Sequence, residues 1–373
     1  MKLKKLEMNK QNKNLVNLIK DLCLIPGLSG YEDDVRKFIK KKLNGLGLRN
    51  TTDRLGNLCS TIKGNSKLPS VMLFAHMDQL GFVIKKIEDN GLLRVERLGG
   101  VPEKTLPSSS IIVKNIDGKY YEGVIGNKSH HATLPEEKYV VPKYRELIID
   151  CGFSSKQEAQ RNGILIGAPI TFKPSIKEIN NNRLAGTSLD DRAGCAVILE
   201  LAKEIKKIKN SPDVHLVFSV QEEFNLRGVI PMAKKLSPDI AIQLDIMLAS
   251  DTPEMQQEGD IALGEGPCMS LYSFHGRGTL NGLIPHPSLV NLISSVAKKN
   301  KINLQRSASN GLLTDISYIQ HLNEGMACIN LGFPIRYSHS PNEVCDIRDL
   351  AMLKKLLFFS IKNINNKFKL LRD

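Results

Sequence analysis

SLDDRAGCAVILEL, residues 188–201, places two aspartates at the start of an apolar helical pattern. Since Asp is favoured at helix N-termini and complements the helix dipole, one interpretation is a cap worth about 1 kcal/mol. A carboxylate at the mouth of a buried helix is also costly to desolvate unless a cation meets it. Four other segments place an acid or a histidine at the end of an apolar run. Their presence favours the interpretation that these aspartates meet a cation.

Apolar runs and helical patterns alternate over much of the chain. The helical patterns cover residues 14–24, 32–46, 192–208, 288–300 and 349–368, and the runs that predict strands cover 71–75, 214–220, 240–244 and 326–331. This alternation predicts an α/β fold, with a mostly parallel sheet covered by helices on both faces. In such sheets, ligands bind outside the carboxyl ends of the strands.

Residues 81–182 have a different texture, with short Ile- and Val-rich runs separated by Gly and Pro, and one helical piece near residues 154–161. We expect a small, β-barrel-like domain here. The flanking segments, 1–80 and 183–373, share the α/β pattern and are predicted to form one discontinuous domain into which it is inserted.

Composition limits the class of protein. The chain has 373 residues, a formal charge of +13, 5% aromatic residues and no Trp. Because the lysines are dispersed and stacking aromatics are sparse, we expect no nucleic-acid partner, and no apolar stretch reaches the roughly 20 residues that a membrane span needs. The seven cysteines are scattered and no signal peptide is evident, so a cytoplasmic protein with reduced thiols is predicted.

Acids and histidines that end the predicted strands or open the central helix should meet at one edge of the sheet. They are His76, Asp78, Asp190, Asp191, Glu222, Glu223, Asp245 and His339. Carboxylates in contact repel one another, and cations relieve that repulsion. Imidazole nitrogen with carboxylate oxygen suits zinc, cobalt or manganese.

Two divalent ions per subunit, zinc or cobalt, are expected. Asp190 is the candidate bridge, with His76 and Asp245 on one ion and His339 and Glu223 on the other. Two ions about 3.5–4 Å apart can hold a hydroxide between them.

Two acids remain beside these ligands. Glu222 is the candidate general base, and Asp78 is expected to orient the ring of His76.

The histidines at 130, 131, 275 and 286 stay outside the set of candidate ligands. His215 lies inside an apolar strand and is predicted to be a core residue.

Five segments in this order, "LFAHMDQLGF", "SLDDRAGC", "VFSVQEEF", "IQLDI" and "RYSHSPNEV", resemble the motifs of the dinuclear-metal glutamyl and deblocking aminopeptidases of metallopeptidase family forty-two, especially its FrvX-like branch. The resemblance implies the same five metal ligands, Glu222 as general base and Asp78 as the orienting acid. It also implies a phosphorylase/hydrolase-like domain of the zinc-peptidase type, dimerisation through the inserted domain, and homo-oligomers in which dimers form a tetrahedral dodecamer. Gln79 departs from the Glu that many members carry, and 311–315 replace a more glycine-rich stretch.

The function expected from these residues is hydrolysis of N-terminal residues from peptides. A carboxypeptidase or an N-acyl deacylase on the same dinuclear site is the alternative, because the motifs place the water and not the free end of the peptide. A non-enzymatic basic binding protein is a third hypothesis, although a binder has no evident need for Glu222 beside a full ligand set.

Overall fold

The computed structural model of the chain describes residues 2–180, 182–276 and 282–372, with side chains from residue 12 onward. The described helices are α1 (Lys2–Cys23), α2 (Asp33–Gly45), α3 (Lys156–Arg161), α4 (Leu189–Ile205), α5 (Ile230–Leu236), α6 (Pro287–Lys299), α7 (Ile316–Ile319) and α8 (Ile347–Asn363). The described strands are β1 (Asn50–Thr52), β2 (Leu58–Ile62), β3 (Val71–His76), β4 (Gly81–Ile87), β5 (Leu93–Leu98), β6 (Ser110–Lys114), β7 (Tyr120–Ile125), β8 (Ile149–Asp150), β9 (Pro169–Phe172), β10 (Ile176–Ile179), β11 (Arg183–Gly186), β12 (Val214–Ser219), β13 (Ile240–Leu248), β14 (Cys268–Phe274), β15 (Gly282–Leu283), β16 (Gln305–Asn310), β17 (Ala327–Arg336) and β18 (Glu343–Asp346).

Four parallel strands, in the order β12, β3, β13 and β17, form the centre of a large sheet. Alternate residues of β3 enter two different cores, as the two-residue period of a strand requires. Val71 and Leu73 pack into the core that contains α1, α4 and α8, whereas Met72 and Phe74 pack with α5 and α7. Helices therefore cover both faces of the sheet, and the predicted α/β class is confirmed.

Most of the pairing at the margins of this sheet is antiparallel, although β16 pairs in parallel with β14. Strands β2 and β1 continue it beyond β12, and β18, β11 and β10 continue it beyond β17, while β14 pairs with β17 and carries β15 and β16. The sheet is consequently mixed, with parallel pairing concentrated at its centre. That centre is where the carboxyl ends of neighbouring strands meet.

The central helix α4 is buried on every side, from Leu189 through Ala202, and packs against α1, α8 and β3. A helix that is apolar all round is expected in such a position. The backbone angles of Asp190 and Asp191 are not helical, and the peptide bond between them is cis. The regular helix therefore begins after Asp191, in agreement with the predicted start at Arg192.

A closed barrel, in the strand order β4-β5-β8-β7-β6-β9, occupies the region predicted to be β-rich. It has its own core, in which Phe82 and Phe172 meet edge to face with ring centroids 6.5 Å apart. The predicted helical piece is α3, whose first turn is capped by the Ser155 hydroxyl. Beyond the barrel, β10 pairs with β11 in the large sheet, although it falls within residues 81–182.

Among the described residues, no helix is both long enough and apolar enough to cross a membrane.

Candidate metal centre

The carboxyl ends of the central strands bring acids and histidines from separate segments to one edge of the sheet. His76 is the last residue of β3 and pairs in register with Ser219, the last residue of β12. Glu222 and Glu223 come three and four residues after the end of β12, and the Glu222 carboxyl group lies beside the His76 ring. The predicted meeting of these residues therefore follows from the parallel pairing of β3 with β12.

Asp245 lies inside β13 rather than at its end. The strand was predicted to end at Leu244, but it continues to Leu248 because β17 extends alongside it, with Gly332 opposite Asp245. His339 lies in the turn that joins β17 to β18, three residues beyond the last residue of β17.

Asp190 faces both histidines. Its Oδ1 lies 3.1 Å from Nε2 of His76, and its Oδ2 lies 3.6 Å from Nε2 of His339. On the far side of His339, Oε2 of Glu223 lies 3.8 Å from the same Nε2. One carboxylate thus offers an oxygen to each imidazole, as a bridging ligand must.

The donor set fits divalent metal ions. One ligand atom each from His76, Asp190 and Glu223 can be chosen so that all three lie within 4.8 Å of one another. Asp245 and His339 lie beside this group rather than in it. Imidazole nitrogen and carboxylate oxygen together are the ligands that zinc and related ions prefer.

Burial and mutual repulsion raise the pKa of two of the proposed ligand carboxyl groups, those of Glu223 and Asp245. Burial raises the pKa of Glu223 and of Asp245 well above the ordinary value, and the nearby Asp190 carboxylate raises both further. The Asp245 oxygens accept hydrogen bonds from the side chain of Gln243 at 2.9 Å and from the backbone N–H of Ile246 at 2.7 Å. A cluster of acids that resists ionisation in this way favours a bound cation.

Glu222 is buried with its Oε2 4.0 Å from Nε2 of His76. Burial raises the pKa of its carboxyl group well above the ordinary value, although the charge of His76 opposes this. For His76 itself, burial lowers the pKa, but hydrogen bonds to Asp190 and Asp78 outweigh it, so the net pKa is well above the ordinary value.

Asp78 connects the segments of the site. Its Oδ1 accepts the backbone N–H of Glu222 and its Oδ2 that of Glu223, both at 3.0 Å, and Oδ2 also accepts the hydroxyl of Ser29 at 2.5 Å. Nδ1 of His76 lies 3.2 Å from the Asp78 carbonyl oxygen and 3.4 Å from Oδ1. Although burial opposes it, these bonds lower the pKa of Asp78, which stays ionised.

Asp191 takes the capping role that was the other interpretation of this stretch. Its Oδ1 accepts the backbone N–H of Gly194 at 3.1 Å, in the first turn of the regular helix. The two adjacent aspartates therefore point in different directions, since Asp190 faces the two histidines and Asp191 faces the first turn of the helix.

A family model described as M42 glutamyl aminopeptidase matches residues 56–356. The chain belongs to the M42 glutamyl aminopeptidase family. The SgcX protein of Escherichia coli (strain K12) is 36% identical over 332 residues, which is 88% of each chain. The predicted resemblance is thereby confirmed.

Solved structures agree with this membership. Aminopeptidase APDkam598 of the archaeon Desulfurococcus kamchatkensis has a TM-score of 0.89 and 36% identity, and the match covers 96% of this chain and 97% of that one. The TET1 peptidase of Pyrococcus horikoshii has a TM-score of 0.83 and 28% identity, with 93% of this chain and 99% of that one covered. That peptidase can assemble into a tetrahedron or a large octahedral shell.

Glu343 is a residue of this M42 chain that the sequence reasoning missed. It is 2% exposed; its Oε1 accepts the backbone N–H of His339 at 2.9 Å and its Oε2 that of Asp190 at 3.1 Å. Burial raises the pKa of its carboxyl group to about 8. The sequence signal was its place within "RYSHSPNEV". A single acid at the start of a strand, however, does not indicate which backbone N–H groups its side chain will accept.

Gln79 lies beside a fully buried arginine. Its Oε1 accepts the backbone N–H of Gly27 at 3.1 Å and faces Nη2 of Arg192 at 3.5 Å. The Arg192 Nη1 donates to the carbonyl oxygens of Leu22 and Ile25, while its buried Nε has no hydrogen-bond partner among the described residues. The amide therefore serves this guanidinium as a neutral acceptor.

The five histidines predicted to lie outside the ligand set are placed away from the centre. The ring of His215 contacts the hydroxyl of Thr61 at 2.9 Å within the sheet, and His286 caps α6. His130 and His131 form an exposed edge-to-face pair beyond β7, and His275 is exposed beyond β14.

Proposed function

We propose that this M42 protein is a metal-dependent aminopeptidase that removes N-terminal residues from peptides at a dinuclear site. The observation that carries the proposal is the position of Asp190, whose two carboxylate oxygens face the Nε2 atoms of His76 and His339. The residues that would hold the ions are His76, Asp190, Glu223, Asp245 and His339. When bound, a pair of divalent ions such as zinc or cobalt polarises a carbonyl group and lowers the pKa of a water molecule from about 15.7 to about 7.

The division of ligands proposed from the sequence gives His76 and Asp245 to one ion and His339 and Glu223 to the other. The 3.8 Å approach of Glu223 to Nε2 of His339 supports the second pair. The first pair is supported by the nearness of His76 to Asp245, because burial raises the pKa of that carboxyl group and the charge of His76 opposes the rise.

Glu222 is proposed as the general base. Its Oε2 is buried and lies near, but not among, the atoms that would bind metal. There it can accept a proton from water as the carbonyl is attacked, and can return that proton to the leaving amine. Asp78 assists by holding the backbone of Glu222 and the ring of His76 in fixed positions.

The proposed domain division gives residues 1–80 and 183–373 to catalysis and 81–182 to dimerisation. The closed barrel within the second range supports a unit with its own core. We propose that the chain forms homo-oligomers, with dimers building a tetrahedral dodecamer, because the TET1 peptidase assembles into such a shell. A cytoplasmic location is proposed from its free cysteines.

The test uses the full chain, stripped of metal with a chelator and then supplied with Zn²⁺ or Co²⁺. Hydrolysis of leucyl, glutamyl and lysyl chromogenic substrates should disappear on chelation and return with metal. In Glu222→Gln, turnover should fall by roughly 10²- to 10⁴-fold while metal content stays unchanged. Glu200→Gln is the matched control, because Glu200 is also buried but pairs with Lys203 away from the centre. Full activity of Glu222→Gln would remove Glu222 from the mechanism.

Blocked peptides distinguish the direction of cleavage. An acetyl group on the N-terminus should abolish hydrolysis by an aminopeptidase, whereas a carboxypeptidase would still release the C-terminal residue and a deacylase would release acetate. Salt-dependent binding of anionic polymers without any hydrolysis would instead indicate a basic binding protein.

A further inference from the structure

Glu343 is anchored between the two segments that carry Asp190 and His339. It begins β18, where its backbone pairs with Gly186 of β11. β18 also pairs with β17, so the intervening turn, which contains His339, closes a hairpin. The side chain of Glu343 therefore starts from the sheet and not from a mobile surface position.

The carboxylate of Glu343 spans the distance between two proposed metal ligands. One oxygen closes the hairpin turn by accepting the N–H of His339, and the other reaches the N–H of Asp190, which is 153 positions away in the chain. Each oxygen is thus occupied by a backbone donor. A hydrogen bond that is shielded from water is electrostatically stronger than one exposed to solvent, so these two bonds hold both segments in place.

His339 needs such a restraint more than the other ligands. It has a left-handed backbone, with φ of +66°, and Tyr337 in the same turn has φ of +59°. The His339 side chain is 35% exposed, whereas that of His76, which ends a buried strand, is 1% exposed. Nothing in the strand pairing fixes the turn against the start of α4, because the hydrogen bonds of β17 with β18 stop short of His339.

We propose that Glu343 is a positioning residue of the metal centre, which sets the separation of His339 from Asp190 and so creates the second metal site. This inference rests on the proposed dinuclear function. Glu343 would bind neither metal nor substrate; it would act through the two backbone N–H groups that it accepts.

Two conservative replacements of Glu343 should each break one of its two hydrogen bonds. In Glu343→Gln one oxygen can still accept, but the NH₂ group faces a second backbone N–H, so one of the two bonds is lost. Glu343→Asp keeps the carboxyl group but is one methylene shorter and cannot reach both donors. Since restraints on metal ligands typically contribute 10- to 100-fold to metal affinity, both variants should weaken the ion held by His339 by that factor.

The experiment titrates Co²⁺ into the metal-free full chain, followed by calorimetry and by the visible absorption of bound Co²⁺. The wild type should bind two ions. Glu343→Gln and Glu343→Asp should bind the first ion as the wild type does and the second 10- to 100-fold more weakly, with altered Co²⁺ absorption. Circular dichroism of each metal-free variant ensures that the titrated protein is folded.

A matched control separates positioning from a general loss of structure. Asp349 is also a buried carboxylate that accepts two backbone N–H groups, those of Gly264 and Gly266, each at 2.7 Å. Asp349→Asn should keep the two-ion titration of the wild type. In the double variant His339→Ala with Glu343→Gln, the second ion should bind no more weakly than in His339→Ala alone, because the separation that Glu343 sets between His339 and Asp190 matters only while the His339 side chain is present.

The outcomes are distinguishable. If the wild type binds two ions and both Glu343 variants give the same titration, the positioning role is wrong while the dinuclear function stands. Equal weakening in Asp349→Asn would also overturn the inference, because the effect would then be general. If the wild type binds no metal, the dinuclear function fails and this inference fails with it.

Discussion

The ring of His339 donates its Nδ1–H to the carbonyl oxygen of Gly100 at 2.9 Å. A carbonyl oxygen can only accept, so this bond places the ring proton on Nδ1 and leaves the Nε2 lone pair directed at Asp190 and Glu223. Gly100 follows β5 of the barrel. The inserted barrel therefore supplies the group that fixes the tautomer of a proposed metal ligand.

Substitution of Gly100 should disturb that ligand. A Cβ at this position would lie 3.2 Å from Nδ1 and 3.4 Å from Cε1 of His339, so the ring must shift by a few tenths of an ångström. We expect Gly100→Ala to lower kcat by roughly 10-fold with little change in thermal stability. Gly45→Ala is the control, because its Cβ would meet open space. Steady-state kinetics that do not differ between the two variants would contradict this role.

Replacement of Gln79 tests the buried arginine. Gln79→Leu would leave the N–H of Gly27 and the guanidinium of Arg192 without this acceptor, at a cost of about 1–3 kcal/mol in the free energy of unfolding. Gln79→Glu keeps an acceptor and adds a charge opposite to Arg192, so it should not lower that free energy. Urea denaturation of the three metal-free proteins measures the difference. Equal midpoints and slopes for Gln79→Leu and the wild type would show that Gln79 does not support Arg192.

Metal binding should release protons. Burial raises the pKa of Glu223 and Asp245 in the metal-free protein, and both must be ionised to act as ligands. The apparent affinity for Zn²⁺ should therefore rise as the pH rises, until these carboxyl groups are fully ionised. Calorimetry in buffers of different ionisation enthalpy counts the released protons. A binding enthalpy that is independent of the buffer would argue against this expectation.

Asp349 should make stability depend on pH. Burial raises its pKa from 3.8 to about 7 in the folded protein. Between these values the folded state holds a proton that the unfolded state has lost, so the free energy of unfolding falls as the pH rises from 3.8 to about 7. Asp349→Asn cannot lose that proton, and its stability should fall less over the same range. Urea denaturation across that pH range measures the free energy of unfolding of the wild type and of the variant. If the difference between the two free energies does not vary with pH, the raised pKa of Asp349 is wrong.

The central fold could be predicted because its strands are unbroken apolar runs, which require cover on both faces. β14 and β16 were not predicted, because they contain several serines and lie away from the parallel centre, where pairing rather than hydrophobic pattern defines them. β10 lies within the range assigned to the inserted domain, but it joins the large sheet by pairing with β11. Its place in the sheet is likewise defined by strand pairing and not by a hydrophobic pattern.

The meeting of His76, Asp190 and Glu223 could be anticipated because the carboxyl ends of parallel strands share one edge. The roles given to these residues remain predictions. Glu343 and Gly100 could not be identified in this way, because each acts on a backbone N–H or through a backbone carbonyl. Such contacts follow from the path of the chain and leave no spacing pattern in the sequence.

The two histidines differ in their exposure to solvent, at 1% for the side chain of His76 and 35% for that of His339. The solvent side of the proposed centre is therefore the His339 turn, and its closed side is the end of β3. We expect an ion held by His339 to exchange with free metal in solution faster than an ion held by His76.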